Sequence, residues 1–181
     1  MELQELQETL ARYGIPYEEW GGQNGKTIED LHAEVVSGEA VLSPVAGKLV
    51  RSIICARIDV FYRAGGMCRH LVESHQIVRG EKRTRRRGAS LYEKMQGTET
   101  PYVCAHRALS EELRIDEPLF GMRALTPIQE TNESVSFRGL RTVYTFYPFT
   151  ITLPERHYKP ERYVDVSEVP REVTYFVWQD L

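Results

Sequence analysis

GTETPYVCAHRALSEELRI, residues 97–115, is the stretch on which the reading of the fold turns. Thr100 followed by Pro101 is an N-cap followed by a proline at the first helical position, which predicts a helix over 101–113. In that helix Arg107 and Glu111 lie one turn apart, so they project to the same side. Two adjacent carboxylates, Glu111 and Glu112, with Glu99 at the start of the helix, can gather a hard divalent cation. Mg²⁺ takes oxygen ligands and keeps several waters, and phosphate oxygens complete its shell. A metal held in this way stabilises charge on a diphosphate and lowers the pKa of an attacking water.

The segment resembles the Nudix box, in which a glycine, a glutamate, an Arg-Glu pair, a Glu-Glu pair and a second glycine follow at fixed spacing. Glu99, Arg107, Leu109, Glu111, Glu112 and Ile115 fall in register with it over residues 93–115. The resemblance implies a Nudix-type α/β/α sandwich with a mixed sheet. It also implies that Glu111 and Glu112 are Mg²⁺ or Mn²⁺ ligands, that Glu99 is an accessory ligand or loop anchor, and that Arg107 orients the carboxylates. Three positions depart from it: Ala108 stands at the first helix glutamate, Arg114 at the trailing glycine and Glu93 at the leading one. Losing one of three metal-facing carboxylates weakens the metal site and removes a candidate base, a role worth about 10²–10⁴-fold in rate.

Upstream, Leu3, Leu6, Leu10 and Tyr13 sit at helical spacing before Gly14 and Pro16. Thr27 and Asp30 form a capping-box pattern for a second helix that stops near Gly38. Residues 1–44 therefore read as a helical extension packed on a core domain spanning 45–181. Trp20 reads as a pin between the two. From Val45 the pattern turns to strands. LVRSIICARIDVFYRA and MCRHLVESHQIV flank Gly65-Gly66 as a hairpin, and TVYTFYPFTITL and VTYFVWQDL follow the helix. Strands around one well-capped helix make an α/β fold.

The run RGEKRTRRRG, residues 79–88, enters the loop before the box. Arg83, Arg85 and Arg87 there read as a phosphate-binding edge, since guanidinium groups grip phosphate oxygens two at a time. A solvated hairpin end is the plainer reading. A nucleotide, another phosphorylated small molecule or the 5′ end of an RNA suits the functional one. Glu130 and Glu133 in PIQETNES are candidate substitutes for the missing base, against a solvated loop face. His70, His75 and His106 are not at metal-ligand spacing with the cysteines, and the aromatic strand around Tyr144, Phe146, Tyr147 and Phe149 reads as core.

Composition narrows the partners. A net charge of -3 argues against a general nucleic-acid binder, which needs a basic surplus on some face. The three cysteines, Cys55, Cys68 and Cys104, form neither a disulfide framework nor a zinc site. No apolar run reaches the ~20 residues of a membrane span, and the N-terminus lacks the pattern of a signal peptide, so a cytoplasmic protein is expected. Either the chain hydrolyses a nucleoside-diphosphate-linked or other diphosphate compound with Mg²⁺, or it is a catalytically inactive Nudix-fold module that binds a nucleotide, RNA or protein. The two N-terminal helices equally offer a homodimer surface.

Overall fold

A computed structural model describes residues 1–21, 26–78, 80–84, 88–117, 121–134, 136–168 and 171–181. In chain order the elements are helices α1 (Leu3–Arg12) and α2 (Ile28–Val36), then strands β1 (Val41–Val45), β2 (Lys48–Ala64), β3 (Met67–Val78), β4 (Glu81–Arg83) and β5 (Leu91–Lys94). Helix α3 (Pro101–Leu113) follows, and then β6 (Arg123–Ala124), β7 (Ile128–Glu133), β8 (Arg141–Leu153), β9 (Tyr163–Glu168) and β10 (Arg171–Asp180). The α/β class read from the sequence is observed. Among the described residues no helix is long and apolar enough to cross a membrane. The chain divides into two compact units.

The first unit comprises Met1–Cys55, Lys94–Glu99 and Pro127–Phe146. Helix α2 starts where Thr27 and Asp30 complete a capping box, each side chain accepting from the other's backbone N–H. Leu6 and Leu10 of α1 are fully buried against Ile28 and Leu31 of α2, Leu49, Phe137 and Leu140. These contacts hold α1, whose short apolar stripe would not keep it helical alone. Trp20 packs at a tilt against Phe137, with centroids 5.1 Å apart, and donates from Nε1 to the Arg138 carbonyl at 3.0 Å. Tyr144 and Phe146 pack on Ala40, Ile53 and Cys55, so these aromatics serve the core. The first strand begins at Val41 rather than Val45, because Val41–Val45 pairs antiparallel with the start of β2.

Glu34, 4% exposed, is the charged centre of this unit. It accepts from Lys26 and Lys94, each at 2.6 Å, and pairs with the buried Arg51. Burial by itself would raise its pKa, but these three cations overcome that and hold the carboxyl at about 2. The stretch before α3 is pressed on the end of α2. Gly97 N–H donates to the Ser37 carbonyl at 3.1 Å, and a Cβ on Gly38 would stand 2.7 Å from the Gly97 nitrogen. Gly38 also has φ +76°, so the turn needs glycine for two separate reasons.

The second unit comprises Ala56–Glu93, Thr100–Thr126 and Tyr147–Leu181. The Gly65-Gly66 hairpin forms as read, with both glycines at positive φ and Ala64 opposite Met67. Strand β3 then pairs antiparallel with β10, and β10 with β9. An irregularity in the β3–β10 register sets Tyr175 opposite His75 and Phe176 opposite Glu73, leaving Ser74 as the extra residue next to Glu73. Bulges of this kind re-aim neighbouring side chains. Helix α3 lies against β9 and buries Cys104, Ala105, Ala108, Leu109 and Leu113.

Candidate functional site

Helix α3 is fixed at both ends. Thr100 Oγ1 accepts from Val103 N–H at 3.3 Å, with Pro101 at the first helical position. At the other end Arg114 takes the left-handed conformation, φ 59° and ψ 44°, and Ile115 N–H reaches back to the Leu109 carbonyl at 3.2 Å. Arg114 N–H also donates to the Ser110 carbonyl at 3.0 Å, the bond of an αL-type helix ending, whose left-handed residue is usually glycine. The box that this segment resembles has a glycine there, and in this chain an arginine takes the left-handed conformation.

The helix carries Glu111 and Glu112 into a cavity of about 440 Å³ within the second unit. Four further carboxylates line it: Glu73 from β3, Glu93 from β5, Asp165 from β9 and Glu172 from β10. Tyr92, Gln76 and Thr174 add polar groups, and Arg114 contributes the cation among the lining residues. Arg107 stands behind the carboxylates, donating to Glu93 Oε1 at 2.9 Å and to Glu111 Oε2 at 3.3 Å. Gln76 donates to Thr174 at 2.9 Å and to Glu172.

Burial raises the Asp165 pKa above its usual value. Arg114, with Nη2 at 3.7 Å, and the Val166 backbone N–H pull it down, Glu111 pushes it up again, and the net direction is upward. A bound cation would relieve that field, and Arg107 donates to one oxygen of Glu93 and to one of Glu111. As the side chains lie, no three His, Cys, Asp or Glu groups among the described residues are gathered tightly enough to hold a metal. The donor chemistry therefore suits a hard cation, and the side chains would have to close on it.

The remaining residues singled out in the sequence fall as follows. Glu99 belongs to the first unit, where its carboxylate accepts from Gln96 N–H at 2.9 Å within a tight turn. Ala108 is fully buried on the face that carries Cys104, Ala105 and Leu109. Arg83 lies opposite Gln76 in the β3–β4 ladder, so β4 adjoins a strand that lines the cavity. Arg85 and Arg87 lie outside the described residues. Glu130 and Glu133 are exposed on β7 of the first unit, opposite Tyr144 and Arg141. His106 contacts the Glu117 carbonyl at 3.2 Å, His70 pairs with Asp59 at 3.0 Å, and His75 stacks on Tyr175.

Glu73, Glu93, Asp165 and Glu172 were not legible as site residues. Glu93 occupies the box's leading glycine position and reads as a departure from it. The other three are acidic residues inside strands, and an acid within an otherwise β-branched run such as YVDV was the available signal.

No protein-family model and no curated protein sequence matches the chain. Among solved structures it is similar to the Nudix domain of Shewanella oneidensis NrtR, crystallised with ADP ribose. That match has 10% identity and a TM-score of 0.43, and covers 71% of this chain and 73% of that one. It is also similar to the Ap4A hydrolase of C. elegans, with 11% identity and a TM-score of 0.38, covering 71% of this chain and 80% of that one. At such identity and overlap these likenesses say nothing of activity, which rests on the residues of the acidic cavity.

Proposed function

We propose that this chain is a Nudix-like protein that uses Mg²⁺ or Mn²⁺ to bind and hydrolyse a nucleoside-diphosphate-linked or other diphosphate compound. The observation that carries the reading is the second unit's cavity, where Glu111 and Glu112 meet Glu73, Glu93, Asp165 and Glu172 around a single lining arginine. A carboxylate cluster of that density favours divalent cation binding, and a divalent cation in turn draws phosphate oxygens. Glu111 and Glu112 would hold the metal, with Glu93 or Asp165 completing the set. The bound ion would supply charge neutralisation at the diphosphate and an acidified water. Arg107 orients Glu93 and Glu111, and Arg83 on β4 extends the reach toward a phosphorylated ligand.

A second reading draws on Ala108. Where the resemblance has a glutamate this chain has a fully buried methyl group, which favours a module that binds a nucleotide, RNA or protein without turning it over. Phosphate release from a panel that includes ADP-ribose and Ap4A, with Glu112→Gln as the control, separates the two. Mg²⁺-dependent release that the substitution abolishes supports hydrolysis. Binding of panel members without release establishes the inactive module.

A further inference from the structure

Arg114 holds a backbone conformation that arginine does not favour. With φ 59° it is one of two non-glycine residues at positive φ among those described, and the position is the left-handed end of α3. An L side chain there brings its Cβ against the following carbonyl, a clash that glycine avoids. Strained non-glycine positions of this kind cluster at active sites and ligand clamps. The pairing of Arg114 with Asp165 does not account for the conformation. The Nη2 to Oδ1 separation of 3.7 Å is longer than a well-formed charged hydrogen bond, and the Arg114 side chain remains 63% exposed. Its guanidinium instead stands at the cavity as the only cation among the lining residues, with donors available for another partner.

We propose that Arg114 grips the non-bridging phosphate oxygens of the diphosphate ligand once a divalent cation occupies the cavity. This rests on the metal-dependent diphosphate reading above, since a divalent ion must first offset the carboxylates before an anion can enter. The planar guanidinium can then bind two phosphate oxygens at once, which a lysine ammonium cannot do as a fork. The strained turn places that fork one residue beyond the helix that carries Glu111 and Glu112.

Calorimetric titration of inorganic pyrophosphate in the presence of Mn²⁺, together with Mn²⁺ alone and thermal melting, tests this on the unaltered chain, Arg114→Gly and Arg114→Lys. Arg114→Gly should melt about 2 °C higher as the left-handed turn relaxes. It should bind pyrophosphate about tenfold more weakly or worse and bind Mn²⁺ alone no less tightly, with Arg114→Lys between the two in pyrophosphate affinity. Pyrophosphate binding by Arg114→Gly equal to that of the unaltered chain overturns the assignment and leaves the diphosphate reading standing. A fall in melting temperature along with the loss of binding also overturns it, making Arg114 a structural tie to Asp165. An unaltered chain that does not bind pyrophosphate overturns the diphosphate reading, and the role of Arg114 with it.

Discussion

The Arg107 guanidinium donates to the Glu93 carboxylate across 2.9 Å, tying helix α3 to strand β5 at the edge of the acidic cavity. Both side chains are about one-fifth exposed, so the bond is partly shielded from water. A charged hydrogen bond in that setting contributes about 1–2 kcal/mol. Arg107→Ala and Glu93→Gln should each destabilise the protein by that order. Urea denaturation of the two single variants and the double variant should return a coupling near 1 kcal/mol. A coupling of zero would mean that the two residues do not act through each other.

Glu34 should govern the acid stability of the first unit. Its pKa is lowered to about 2 in the folded chain, so its contribution is fully present above the ordinary value near 4.5 and is lost as pH falls from there toward 2. Glu34→Gln leaves Lys26, Arg51 and Lys94 without their common acceptor and should lose about 3 kcal/mol at neutral pH. The stability gap between Glu34→Gln and the unaltered protein should narrow when denaturation is repeated near pH 3. A gap that does not change with pH would mean that the carboxyl titrates normally.

Removing the Leu6 side chain should release α1. Leu6 is fully buried between α2 and Phe137, and leucine-to-alanine changes at such sites cost about 2–5 kcal/mol. Limited proteolysis of Leu6→Ala should cut within residues 1–14 faster than in the unaltered chain. Equal cutting rates would show that α1 is held by other contacts.

Gly38→Ala should disturb the turn that carries Glu99. The new Cβ would meet the Gly97 nitrogen at 2.7 Å, and alanine would also have to adopt φ +76°. A loss of at least 1 kcal/mol in chemical denaturation is expected. A variant as stable as the parent would mean that residues 96–99 can move aside at no cost.

Local signals were legible wherever the physics is local. The capping box at Thr27 and Asp30, the Thr100-Pro101 helix start and the Gly65-Gly66 turn all formed at the residues that carry them. Arg107 and Glu111 were brought together because their helical i,i+4 spacing alone sets their common side. The other half of the cavity was not legible. Glu73, Asp165 and Glu172 reach it through the β3–β10–β9 pairing, a relation between strands far apart in sequence that no local pattern encodes. Residues 1–44 read as a helical extension on the core, and the first unit groups Met1–Cys55 with Lys94–Glu99 and Pro127–Phe146. Phe137 and Leu140 supply that link, and their burial against α1 follows from packing rather than from periodicity.

Whether the carboxylates of the second unit hold a divalent cation is measured directly by calorimetric titration of Mg²⁺ and Mn²⁺ into the protein. Binding at one site per chain is expected, lost in Glu112→Gln and weakened in Glu111→Gln, with both variants folded by circular dichroism. No heat of binding, or binding unchanged by either substitution, would contradict it.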